Sequence, residues 1–139
     1  MRASPKRILV TGGAGFIGSM FIKKMILDSL CQRVVNLDAL TYAADLSNLQ
    51  EVERDERYLF VKGDICDENL VESLCIQETI DTIVHFAAES HVDRSIQGPI
   101  AFGKTNVLGT MHLLEVVRRH PQIHFHHIST DEVYGSLGM

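Results

Sequence analysis

Residues 11–19 read TGGAGFIGS and follow directly on the apolar run RILV at residues 7–10. Gly12, Gly15 and Gly18 form a G-x-x-G-x-x-G pattern, while Gly13, Gly15 and Gly18 also satisfy G-x-G-x-x-G. A triplet in this position serves three needs: a tight turn, close approach of backbone to a pyrophosphate, and tight packing of a helix on a strand. The preceding run has no polar alternation, as a strand buried on both faces requires. The following residues are apolar enough to open a helix whose first amides face a bound phosphate. A glycine triplet alone is equally a plain loop. Placed after a strand, before a helix and near the N-terminus, it predicts a dinucleotide-binding strand–turn–helix.

The rest of the chain repeats that alternation. RVVNLD (33–38), RYLFVKGD (57–64), TIVHFAA (82–88) and HFHHIST (124–130) are further strand candidates. Residues 16–30, 45–54, 67–78 and 100–119 are each long enough for a helix. In the last, Val107, Met111, Leu114 and Val117 fall at helical spacing and predict its core face, leaving Lys104, Glu115 and Arg119 for the others. Pro121 marks the exit. Such a βαβαβ order predicts a parallel, doubly wound α/β sheet of about five strands with right-handed crossovers. With 139 residues and no repeat or linker, the chain reads as one domain, 1–139.

Composition narrows the function classes. A formal net charge of −5 without a basic stripe argues against nucleic acid as a partner. No apolar run reaches the roughly 18 residues of a membrane span, and MRASPKRILV lacks the apolar stretch of a signal peptide. Cys31, Cys66 and Cys75 have no C-x-x-C spacing, which predicts reduced thiols in a cytoplasmic protein and no zinc site. His124, His126 and His127 crowd one strand candidate without an acidic partner and are expected to be strand histidines, so no metal is expected.

Three further places point to a ligand. Asp38 closes the second strand twenty residues after Gly18, where a carboxylate accepts hydrogen bonds from adenosine ribose hydroxyls and repels a 2′-phosphate, favouring NAD over NADP. Asp64 ends the third strand similarly, as an adenine neighbour or simply a turn former. Thr130, Asp131 and Glu132 close the fifth strand. Adjacent carboxylates at a strand end have pKa values that are readily driven apart, one acting as acid and one as base, although S-T-D-E also resembles a helix-capping signal.

Together, ILVTGGAGFIGS, VVNLDALTYAADLSNL, GDICD, HFAAESHVDRSIQGP, TNVLGT and HHISTDEVYG resemble the N-terminal half of an extended short-chain dehydrogenase/reductase. AAESHVDRS combined with STDEVYG resembles the dTDP-glucose 4,6-dehydratase family in particular; relatives that epimerise or decarboxylate nucleotide sugars usually lack the Asp-Glu pair. The resemblance runs from about Lys6 to Gly135. It implies that Phe16 and Ile17 line the dinucleotide beside the glycines, that Asp38, Ala39, Leu40 and Thr41 hold the adenosine, and that Asp64 and Ile65 border the adenine. Phe86, Ala87, Ala88 and Glu89 would border the nicotinamide half, Thr105 would touch the cofactor, and Ser90 and Thr130 the sugar. Glu132 would remove the C5 proton, Asp131 would protonate the departing 6-hydroxyl, and Thr130 would orient the C4 oxygen. The implied reaction converts dTDP-glucose to its 4-keto-6-deoxy product with bound NAD, in a homodimer built on the helix at 100–119. His91, Asp93 and Arg94 are expected to support the site, and Tyr134 to be structural.

Two departures stand out. Ala44-Asp45 replaces an expected Gly-Asn turn. The family's Y-x-x-x-K motif, expected some 30 residues beyond Thr130, is not reached, nor are further strands and the sugar-nucleotide domain. The resemblance therefore implies a chain inactive and poorly stable alone. Alternatives are a non-catalytic NAD-binding fragment, half of a split enzyme, or a related nucleotide-sugar dehydratase or decarboxylase.

Overall fold

A computed structural model describes residues 4–88 and 98–135. Five strands, β1 (Arg7–Thr11), β2 (Arg33–Asp38), β3 (Tyr58–Lys62), β4 (Thr82–His85) and β5 (His124–His127), form one parallel sheet in the order β3-β2-β1-β4-β5. The predicted doubly wound architecture is thus present. Its reversal of strand order falls at β1, with β2 on one side and β4 on the other.

Alternation along the strands builds a core on each face. Ile8, Val10, Val34 and Val84 meet Ile22, Met25 and Ile26 of α1 (Phe16–Leu27), with Leu49 and Val52 closing the layer. Leu9, Val35, Leu37 and Ile83 point the other way. They meet Val71 and Leu74 of α2 (Glu68–Gln77) and Leu113 and Val116 of α4 (Thr110–Arg119). Each fully buried Leu or Ile contributes roughly 1.5–3 kcal/mol, so the central strands hold the domain together. The edges differ: β3 is half-buried, and β5 exposes His124, His126 and His127.

Two helical expectations change. Residues 45–54 hold only a 3₁₀ helix, Leu46–Leu49, followed by turns. The amides of Gln50 and Val52 reach back three residues, to Ser47 and Leu49, which puts Leu49 and Val52 on one face toward α1. Asp45, at the departure from the family's turn, caps this helix by accepting from the Ser47 amide at 2.9 Å. The helix expected at 100–119 is three segments: α3 (Pro99–Phe102), a π-helical stretch (Gly103–Gly109), and α4. Its predicted core face is overturned. Val107, Met111 and Leu114 are 57%, 59% and 47% exposed, whereas Leu113 and Val116 are buried and Val117 packs at the margin. The wide π turns shift the faces between the two ends of the segment.

Charged side chains fasten α4 to α2. Glu68 accepts from His112 at 2.9 Å and pairs with Arg119, while Glu72 accepts from His120 at 2.7 Å. These bonds hold both carboxyls below the usual carboxylate range, led by His112 at Glu68 and by His120 at Glu72.

Candidate functional site at the carboxyl edge of the sheet

The glycine turn leaves β1 at the strand-order reversal. Gly12 has φ +73°, and its amide donates to Leu37 O at 3.0 Å, continuing the β1–β2 ladder. A side chain there would lie 2.6–2.7 Å from the backbone of Ala87. Gly13 sits against Asn36 and Ile22, and Gly18 against the backbone of Gly12 and Gly13. Three of the four glycines are therefore required by packing. Gly15 differs: a Cβ would find only Gly12 O, at an ordinary 3.4 Å. The fold leaves open space at this glycine alone within the turn, which fits the close approach of a phosphate.

Gly15 is also the N-cap of α1. No side chain caps this terminus, its first turn carries no acid, and the first helical bond runs from Ser19 N to Gly15 O. The Phe16 and Ile17 side chains stand 80% and 64% exposed around it. An uncapped helix start presents free amide donors at the positive end of the dipole, a ready site for an anion.

Asp38 ends β2 with its carboxylate turned under the turn. One oxygen accepts from Ala14 N at 2.9 Å and the other from Leu40 N at 2.8 Å, with Leu40 at φ +55°. The side chain is 8% exposed, so it fixes two loops, and each oxygen keeps a lone pair for a further donor. Ala39 and Thr41 are exposed beside it. Asp64 forms an Asx turn by accepting from Cys66 N at 2.8 Å, the turn-forming alternative, and its side chain remains exposed. The Ile65 side chain is buried against Gly109, so it serves the core.

On the other side of β1, Phe86 donates its amide to Thr11 O at 2.9 Å and packs its ring 5.4 Å from Phe21. Ala87 lies beneath Gly12, and Ala88 is exposed. Thr105 lies half-buried in the π-helical stretch. Thr130 is exposed after β5, and a 3₁₀ turn follows at Asp131–Tyr134. The side chains of Asp131 and Glu132 lie outside the described residues, as do Glu89, Ser90, His91, Asp93 and Arg94. Tyr134 is 88% exposed. The backbone brings the glycine turn, the segment after β4 and Thr130 to one edge, and sets Asp64 farther along that edge beyond β2.

Two features went unsignalled in the sequence pattern. His85, 1% exposed at the end of β4, contacts Thr11 Oγ1 through Nδ1 at 2.6 Å and Thr110 Oγ1 through Nε2 at 2.9 Å. Burial, with a smaller effect of the stacked His127, pushes its pKa down to about 4. The second feature corrects an expectation that no tyrosine of the chain stands four before a lysine: Tyr58 and Lys62 have that spacing. It lies on β3, where four residues span about 13 Å. The Tyr58 hydroxyl accepts from Asn36 Nδ2 at 3.0 Å, and burial pushes its pKa up. This pair cannot act as a tyrosine base beside its lysine.

The sheet order and the turn at its reversal define a doubly wound, Rossmann-type domain. The chain belongs to the family described as GDP-mannose 4,6 dehydratase, whose sequence profile matches residues 9–139. It is 50% identical over 141 residues to the dTDP-glucose 4,6-dehydratase of Haemophilus influenzae, covering 95% of this chain and 41% of the relative. The enzyme of the same name from Xanthomonas campestris is 52% identical over 139 residues, covering 94% and 39%. Among solved structures, the dTDP-glucose 4,6-dehydratase of Streptomyces venezuelae with NAD and TYD bound superposes with a TM-score of 0.89. It is 47% identical, over 96% of this chain and 42% of that one. The chain thus spans about two fifths of the length of the curated relatives it matches. Among the described residues no helix is long and apolar enough to cross a membrane.

Proposed function

We propose that this chain supplies the NAD-binding and elimination part of a dTDP-glucose 4,6-dehydratase site. The observation that carries the reading is the meeting of the glycine turn after β1 and the Thr130–Glu132 segment after β5 at one carboxyl edge. The open start of α1 and the space at Gly15 suit the pyrophosphate; Gly12, Phe16, Ile17 and Gly18 shape the approach. Asp38 to Thr41 take the adenosine, and Asp64 with the Ile65 backbone borders the adenine. Phe86 to Glu89 and Thr105 border the nicotinamide half, and Ser90 and Thr130 the sugar. When bound, NAD supplies the hydride acceptor for sugar C4 and the hydride donor for C6. A ketone at C4 acidifies the C5 proton, which Glu132 removes while Asp131 protonates the departing 6-hydroxyl, so that water leaves across C5 and C6. Thr130 orients the C4 oxygen. Two neighbouring carboxyls divide these tasks when their pKa values are driven apart.

The same reading places a second copy of the chain against the outward stripe of Ile100, Val107, Met111 and Leu114, all exposed. It places the protein in the cytoplasm, in keeping with three free cysteines. A second reading, NAD binding without turnover by this chain alone, is favoured by Tyr58 and Lys62. That pair, the one Tyr-x-x-x-Lys spacing in the chain, is spread along the edge strand β3, with Tyr58 at its amino end and Lys62 at its carboxyl end.

Calorimetric titration with NAD, followed by incubation with dTDP-glucose and NAD, tests both. Saturable NAD binding is the expected result, and its absence sinks both readings. Release of a 4-keto-6-deoxy sugar by the chain alone would remove the second.

A further inference from the structure

The buried His85 joins three segments of the edge, and proton counting fixes the direction of the chain of bonds. Thr110, at the junction of the π-helical stretch and α4, sends its amide to Val107 O, three residues back. Its hydroxyl donates to Asn106 O, four residues back, at 2.9 Å. Such a bond to the carbonyl four residues back is a common local use of a threonine hydroxyl in a helix. A hydroxyl has one hydrogen, so Thr110 Oγ1 must accept from His85 Nε2–H. A neutral ring then leaves Nδ1 as an acceptor, which takes the hydrogen of Thr11 Oγ1. The line runs from Thr11, the residue before the glycine turn, through His85 to Thr110 and the Asn106 carbonyl.

We propose that His85 is a positioning residue, whose Nε2–H tautomer holds Thr110 and thereby fixes the π-helical register of residues 103–109. The consequence for function rests on the NAD reading above: that register sets Thr105 against the dinucleotide. Packing supports the same fixed geometry. Gly109 lies so close to the Ile65 side chain that no Cβ fits, and Cys66 Sγ reaches Lys104 O at 3.6 Å, so the stretch is seated on the loop after β3. Among the described residues, the groups facing the ring are Thr11 from β1, Thr110 from α4, and His127 and Phe125 from β5, with ring centroids at 4.9 and 6.0 Å. None is a carboxylate that would favour an imidazolium, and burial pushes the His85 pKa well below neutrality.

The test uses the whole chain, with Thr110→Val and Thr110→Ser. Nitrogen-15 shifts of the imidazole at pH 7 are expected to show Nε2 protonated and Nδ1 bare. Amide exchange at residues 105–111 is expected to be about tenfold faster in Thr110→Val, the size of one such hydrogen bond. Thr110→Ser is expected to restore it, and β1 to β3 to exchange as before. NAD affinity should fall about tenfold in Thr110→Val and recover in Thr110→Ser. An Nδ1–H tautomer, unchanged exchange in Thr110→Val, or equal loss in both variants would overturn the assignment. If the unaltered chain fails to bind NAD, the functional reading falls, while the tautomer and exchange measurements still decide the role of His85.

Discussion

α1 and α2 both begin at the carboxyl edge of this sheet, and their first turns are built in opposite ways. α2 is closed: Asp67 accepts from Leu70 N at 3.0 Å, and Glu68 adds a negative charge to the first turn. α1 is open: glycine stands at its N-cap, with no side-chain bond and no acid. Both helices bury one face against the same sheet, so packing alone does not explain the difference. A closed start satisfies itself, whereas an open one leaves donors for something else. The contrast makes the helix after β1, at the strand-order reversal, the candidate anion site.

The largest effect should come from removing the scaffold under the open terminus. Gly12→Val places a β-branched residue at φ +73° and drives its Cβ into the Ala87 backbone. We expect a loss of more than about 4 kcal/mol, read by urea unfolding; a near-normal midpoint would mean the turn is not held as described. Acid should also act at the end of β4. The unfolded His85 titrates near the ordinary 6.5, and the folded one near about 4. As pH falls the unfolded chain takes the proton first. The contribution is therefore full above about pH 6.5 and is lost on the way down to about 4. It amounts to about 3 kcal/mol, and His85→Asn should remove that slope from denaturation curves.

A more pointed test converts one terminus into the other. Gly15→Asp gives α1 the cap that α2 already has, in extended backbone that accepts it. Stability should change by less than about 1 kcal/mol, while NAD affinity falls about a hundredfold as a carboxylate takes the amides and repels the phosphates. Equal affinity would break the comparison. The smallest effect is the reverse experiment: Asp67→Ala should cost about 1 kcal/mol of stability and leave NAD titrations unchanged.

These contrasts show where the sequence was legible. The buried strands were readable because parallel strands covered on both faces are unbroken apolar runs, and the glycine turn because its spacing follows from steric need. Asp38 was found by position, yet its grip on Ala14 and Leu40 depends on the fold bringing the two loops together. The helix at 100–119 misled for a physical reason. Its apolar residues serve two directions, Leu113 and Val116 inward and Val107, Met111 and Leu114 outward, and helical spacing alone cannot say which stripe meets the sheet. His85 was invisible as a functional residue because a histidine inside an apolar run gives no sign of what lies at either nitrogen.

The π-helical stretch also has a consequence for chain length. A π turn is an α-helix that has accepted an extra residue, and each residue in an α-helix turns the chain by about 100°. Deleting one residue between Gly103 and Gly109 would let the segment relax to regular helix, the wide turns having absorbed about that much rotation. A change of length in this stretch therefore alters its hydrogen-bonding register while leaving the faces of its two ends in place.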